Sequence, residues 1–209
     1  MSVRDTYNRV SLHPWADLSA LGEDAETPIV TRGEGVYIYD DQGRKMIDGP
    51  AGMWCMQTGY GRQEIADAVS RQIMTLGFAS AFNVVNEPEV ELARRISEKA
   101  PGDLNRVYFT TGGSTAVDSA LRLCQLANNM KGLPDKKHIL TRDKAYHGST
   151  FLAASVTGKE RDKTAMDVIK DTVHFLTAPC FYSHGNGRTE QAFCDDLVAE
   201  LERVIVEVG

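Results

Sequence analysis

The feature that most constrains the fold is an alternation across residues 106–176, in which short apolar runs lead through glycine-containing turns into stretches of helical periodicity. Arg106-Val107-Tyr108-Phe109 reads as a strand and Thr110-Thr111-Gly112-Gly113-Ser114-Thr115 as a turn. Residues 116–129 then read as a helix, with Ala116, Ala120, Leu123, Cys124 and Ala127 on its apolar side. His138-Ile139-Leu140-Thr141 supplies a second strand, residues 150–156 a helix, and residues 173–176 a further strand. Strands separated by helices do not close as hairpins, so the alternation predicts a parallel α/β sheet. The final segment, 189–208, opens on Thr189 as an N-cap and carries Phe193, Leu197, Leu201 and Val204 at helical spacing.

The first hundred residues follow other patterns. Residues 1–33 show no sustained period and predict an extended arm. From Val36, the run VYIYDDQGRKMID predicts two short strands around an Asp40-Asp41-Gln42-Gly43 turn, and the glycine-rich stretch after it predicts a loop. Two amphipathic helices follow, one carrying Ile65, Val69, Ile73 and Leu76, the other opened by Pro88 and stopped by Pro101-Gly102. The chain ends straight after a helix, where an α/β alternation would next supply a strand, and so reads as cut.

Charge and cysteine usage remove several function classes. The net charge of −6, with basic residues scattered rather than clustered, disfavours a nucleic-acid or anionic-membrane surface. Cys55, Cys124, Cys180 and Cys194 form no CxxC pair and no zinc-finger spacing, which predicts reduced thiols. Cys180, His184 and Cys194 could be imagined around a metal, but three candidates in a loop are too few, and no metal is expected. The N-terminal residues lack the apolar core of a signal peptide and no run of eighteen apolar residues occurs, so a cytoplasmic protein is expected.

Three local features could carry chemistry. Gly112-Gly113-Ser114-Thr115 joins a strand to a helix, where glycines admit close approach of a ligand and the free N–H groups and positive dipole end attract a phosphate. Ser114 and Thr115 add hydroxyl donors. The same residues also suit an ordinary capped turn, and they match neither the Walker loop nor GxGxxG. Tyr146-His147-Gly148 follows the 138–141 strand, at the carboxyl edge where open α/β sheets bind ligands, and its ring could stack on a flat group or simply close a loop. Trp54, among small and flexible residues, suits either a pocket wall or a core anchor.

Taken together, Gly49-Pro50-Ala51-Gly52-Met53-Trp54-Cys55, Gly59-Tyr60-Gly61, TTGGSTAVDSALRL and Tyr146-His147-Gly148 resemble the class III aminotransferases, the ω-amino-acid and amine:pyruvate group of fold-type I pyridoxal-phosphate enzymes. The order and spacing agree from about His13 to the end. The resemblance implies a partial fold-type I α/β architecture, with an N-terminal arm and small-domain hairpin in 1–55 and the first half of the large cofactor-binding domain in 56–209. It implies that Gly113, Ser114 and Thr115 bind the phosphate of pyridoxal 5'-phosphate, that Tyr146 stacks on its ring and that His147 supports Tyr146. It implies a substrate-side wall at Trp54 and a structural role for Asp118. Thr115 stands where the family usually has Glu, which puts the local hydrogen-bond network in question. Residues 77–86 fall where the family forms its dimer interface, making Ala81 and Phe82 candidates for a contact with the partner's active site in a homodimer with shared sites.

The same resemblance exposes an absence. Aminotransferase chemistry needs a Schiff-base lysine and an acid on the ring nitrogen, which the family carries in its second half, and none of the lysines from Lys45 to Lys170 sits in a matching motif. The expectation is an N-terminal half, inactive alone. The intact enzyme would transfer an amino group from an amine or ω-amino acid to a keto acid, with pyruvate the implied acceptor. The alternatives are another fold-type I enzyme, a decarboxylase or aminomutase, or a non-catalytic truncated remnant.

Overall fold

The computed structural model describes residues 2–12 and 27–209, in two compact units, Met1–Asn105 and Arg106–Gly209. Among the described residues, no helix is long and apolar enough to cross a membrane.

In the first unit, helix α1 (Val3–Val10) replaces the start of the expected extended arm. Its cause is local: Ser2 Oγ accepts the Asp5 N–H at 3.1 Å while Asp5 accepts the Ser2 N–H at 2.8 Å, a reciprocal capping box that needs no hydrophobic period. Arg4 ties α1 to the chain beyond it, through Asp41 at 2.9 Å and the Thr27 carbonyl at 2.9 Å. Residues 13–26 of the expected arm lie outside the described residues, and its last four, 30–33, are paired as a strand.

Strands β1 (Val30–Glu34), β2 (Tyr37–Asp40) and β3 (Lys45–Ile47) form an antiparallel sheet in that order. The expected β2–β3 hairpin is present with β1 added at its edge. Its turn is organised by buried Asp40, which accepts the N–H groups of Gln42 at 3.0 Å and Arg44 at 2.8 Å and the Arg44 Nε–H at 2.5 Å. A four-residue turn α2 (Ala51–Trp54) follows, then helices α3 (Gln63–Leu76) and α4 (Glu87–Ser97), as their periodicity predicts. Asn86 caps α4, and Pro88 sits in its first turn where no helical N–H is required.

The second unit begins with a departure. Residues 106–109 are not a strand, and no partner strand flanks them among the described residues. An apolar extended run makes a ladder only when a neighbour accepts and donates its backbone bonds, and here Tyr108 is left exposed. The remaining elements follow the sequence pattern: α5 (Gly113–Met130), β4 (Ile139–Arg142), α6 (Phe151–Val156), β5 (Val173–Leu176) and α8 (Glu190–Val208), with a short turn α7 (Phe181–His184) before α8. β4 and β5 are parallel, Ile139 facing Val173 and Arg142 facing Leu176. Thr189 caps α8 through its hydroxyl, accepting the Ala192 N–H at 3.2 Å.

The core of this unit is small. Ala153 and Val156 of α6, Val173 and Leu176 of β5, Ala178, and Phe193 and Leu197 of α8 are its buried apolar residues. By contrast α3, α4 and α5 bury no residue, and apolar side chains such as Val69, Ile73 and Leu126 stay exposed. Burial of such faces is what ordinarily stabilises amphipathic helices.

Candidate active site

The Gly112-Gly113 turn leads into α5 with the backbone of Gly112 extended and no side chain capping the helix. The first helical bond is the Ala116 N–H to the Gly112 carbonyl at 3.0 Å, which leaves the N–H groups of Gly113, Ser114 and Thr115 without a helical acceptor. The first turns of α1, α3, α4 and α8 each hold an acidic residue; that of α5 holds none, so its positive end is uncompensated. A side chain built on Gly112 or Gly113 would meet nothing within 4 Å, so space lies open above these donors. Thr115 contributes less than its sequence suggests. Its hydroxyl donates back to the Gly112 carbonyl at 2.8 Å, so its one side-chain proton is used within the turn.

The loop after β4 closes on this helix end. Ser149 donates its N–H to Ser114 Oγ at 3.1 Å, and the Thr150 hydroxyl reaches the Ser114 carbonyl at 3.4 Å. Gly148 makes the approach possible: its φ is +134°, and a Cβ there would lie 2.7 Å from Ser114 Cβ and 2.8 Å from Ser114 Cα. Asp118, one turn along α5, accepts the Thr150 hydroxyl and the Ala153 N–H, both at 2.8 Å, and thereby caps α6 from a neighbouring helix. The structural role implied for Asp118 has this form.

His147 is half-buried and held from both sides. Its N–H donates to Thr157 Oγ1 at 3.1 Å, and its Nε2 lies 3.2 Å from Thr141 Oγ1. The Thr141 hydroxyl spends its single proton on the Val156 carbonyl at 2.8 Å, so Nε2 must be the protonated nitrogen of the pair. The sequence signal for Thr141 was a polar residue inside an apolar strand; for Thr157 there was none. Tyr146 precedes this anchored histidine and is about one-third exposed, with Lys159 Nζ over its ring at 5.1 Å from the centroid. Sequence reasoning missed Lys159 and Ser149, which no motif marked.

Trp54 belongs to the first unit. It ends α2, in which Ala51, Gly52, Met53 and Trp54 have φ of 49°, 59°, 55° and 68°. Four successive residues are thus left-handed, at a cost of roughly 1–2 kcal/mol for each of the three that carry a Cβ. The turn is held by Asp48, whose Oδ2 accepts the Gly52 N–H at 2.8 Å, and by the Trp54 N–H to the Pro50 carbonyl at 2.8 Å. The Trp54 ring is exposed. Ala81 and Phe82 lie between α3 and α4 outside regular structure, and Phe82 is 94% exposed.

Among the described residues, no group of three or more His, Cys, Asp and Glu side chains could hold a metal ion, and Cys180, His184 and Cys194 belong to no such group. Ser183, through its side chain and its backbone N–H, and the nearby charge of Lys144 hold the Cys180 thiol below its usual range.

The sequence matches the family described as aminotransferase class-III over residues 19–208. It is 37% identical to the putrescine–pyruvate aminotransferase of Pseudomonas aeruginosa over 95% of this chain and 43% of that protein. It is 32% identical to the diaminobutyrate–2-oxoglutarate transaminase of Halomonas elongata over 98% of this chain and 45% of that one. The crystal structure of the ω-transaminase from Pseudomonas jessenii in complex with PMP superposes with a TM-score of 0.95 at 33% identity, covering all of this chain and 46% of that one. The chain therefore spans somewhat under half the length of these relatives.

Proposed function

We propose, for a chain that belongs to the class III aminotransferase family and has its fold-type I architecture, that these residues form the phosphate cup and substrate-side wall of an enzyme moving an amino group from an amine to a keto acid. The family depends on pyridoxal 5'-phosphate. When bound, that cofactor supplies the electron sink on which the amino group is carried.

The donor set at α5 fits a phosphate. Three N–H groups without helical acceptors, an uncompensated helix end and open space above Gly112 and Gly113 suit a dianion, each charge-assisted bond contributing on the order of 1.5–3 kcal/mol. Ser114 accepts from Ser149 with a lone pair and keeps its own proton to donate. Tyr146 supplies the flat face for the ring, and His147, fixed by Thr141 and Thr157, holds the backbone from which Tyr146 projects. Trp54 walls the amine side. The observation that carries this reading is the docking of Gly148 and Ser149 on Ser114, which brings Tyr146 within two residues of the anion site; a merely capped turn makes no such demand.

The named relatives act on putrescine and diaminobutyrate, so we take the donor to be a terminal amine or ω-amino acid and the acceptor to be a keto acid, pyruvate first. We place the cofactor-bearing lysine and the acid for the ring nitrogen outside these residues, together with strands that would pair with 106–109. We assign 1–55 to the arm and small-domain hairpin and 56–209 to the large domain. A cytoplasmic homodimer with shared sites completes the reading, with Ala81 and exposed Phe82 at the subunit contact.

Gly113→Val tests the cup directly. A Cβ at Gly113 meets nothing, so the intact enzyme should keep its melting temperature while cofactor affinity falls roughly tenfold or more. Unchanged affinity for pyridoxal phosphate would remove the assignment.

A further inference from the structure

Asp48, immediately beyond β3, uses one carboxylate oxygen for two donors: Oδ2 accepts the Gly52 N–H at 2.8 Å and the Tyr60 hydroxyl at 2.7 Å. Tyr60 is the fixed end of this bridge. Its backbone pairs with Gly35 in both directions, at 3.1 and 2.8 Å, and its ring lies where a side chain on Gly33 would be, with Cδ1 2.6 Å from that Cβ position. Gly52 is the other end, inside the left-handed run that finishes at Trp54, whose three residues with a Cβ carry the strain. A left-handed turn of L-residues does not support itself, because each Cβ crowds the following carbonyl. Gln57 and Cys55 bond its carbonyls, but both belong to the same loop. Among the described residues, the side chain that ties the turn to the sheet is Asp48.

We infer that Asp48, anchored by Tyr60, is a positioning residue that holds the Ala51–Trp54 turn left-handed and thereby sets which amines the pocket admits. The inference rests on Trp54 being the substrate-side wall. Release of the Gly52 N–H lets the turn relax toward right-handed backbone, and that relaxation swings the Trp54 ring away from the place where it limits donor size. Asp48 touches no reacting atom and acts through Trp54.

The test compares Asp48→Ala, Asp48→Asn and Tyr60→Phe in the intact enzyme, using kcat/KM for a short α,ω-diamine against a 1-arylethylamine, with hydrogen exchange of residues 49–57 measured alongside. Asp48→Ala should shift the ratio toward the bulky amine roughly fivefold or more, mainly through KM, and should speed exchange in 49–57 while α3 stays protected. Asp48→Asn should restore most of both effects, since one amide oxygen can accept both donors. Tyr60→Phe, which removes one bond only, should fall between and also covers the case in which Asp48→Ala does not fold. An unchanged ratio with equal loss of kcat on both amines, or unchanged exchange, overturns the inference. If the wild-type enzyme transaminates no amine at all, the proposed function fails instead, and exchange in 49–57 still decides whether Asp48 holds the turn.

Discussion

Ser149 and Ser114, thirty-five residues apart, meet in a single hydrogen bond of 3.1 Å from the Ser149 N–H to Ser114 Oγ. One hydroxyl therefore receives the loop that carries Tyr146 and retains a proton for a ligand. Ser114→Ala removes both at once. In the intact enzyme it should weaken pyridoxal phosphate roughly tenfold to a hundredfold by absorbance titration. An affinity within twofold of wild type would mean that the hydroxyl does not face the cofactor.

Gly148→Ala acts on the same junction from the other side. Its Cβ would stand 2.7 Å from Ser114 Cβ on backbone with φ of +134°, so the loop must lift from α5. A loss of about 1–3 kcal/mol in stability, together with weaker cofactor binding, is expected. Thermal unfolding of the apo and holo forms measures the two separately, and an unaltered apo melt would contradict the packing described.

Asp118→Ala should destabilise by about 1–3 kcal/mol, because the N–H of fully buried Ala153 loses its acceptor. Asp118→Asn keeps an acceptor and should recover most of the loss. Urea unfolding distinguishes them; equal losses would point to the charge rather than the cap.

Acid should loosen the β2–β3 hairpin through Asp40. Burial works against the charged form, yet the Arg44 side chain and the N–H groups of Arg44 and Gln42 outweigh it and hold the carboxyl below its ordinary 3.8. A depressed folded value means stabilisation that is present above the ordinary range and disappears as pH falls through the lowered one. Carbon-13 titration of the Asp40 carboxyl should therefore give a midpoint under 3.8, and Asp40→Asn should flatten the acid dependence of hairpin exchange. A midpoint at or above the ordinary value would refute the assignment.

What could be read in the chain beforehand divides by the distance over which the cause acts. The hairpin around Asp40, Pro88 at the head of α4, Thr189 capping α8 and the alternation of 139–176 all express local rules, and all are present. α1 was local too, but its signal was a capping pair rather than a period, and a search for periodicity passes over it. Residues 106–109 carry strand composition without a ladder, since pairing is a property of two segments and the partner is not among those described. At the proposed site, the Gly112–Thr115 turn and the Tyr-His-Gly motif were visible as residues. The ties that join them, Ser149 to Ser114 and Thr141 to His147, were not, because a hydroxyl reaching a distant backbone leaves no trace in composition or spacing. The left-handed run at Ala51–Trp54 was hidden for a related reason: of its four residues only Gly52 favours that backbone intrinsically, and the rest are held there by Asp48 and its neighbours.

The bonds that assemble the cup all fall between Gly112 and Thr157, and the longest joins residues thirty-six positions apart. Closing a loop of that length costs little more than closing a short one, since the entropy grows only with the logarithm of length. The residues of these bonds all precede β5 and α8, whose Val173, Leu176, Phe193 and Leu197 supply most of this unit's buried apolar side chains. The hydrogen bonds of the junction can therefore be met in the order of synthesis, while the buried core of the unit waits for residues 173–197.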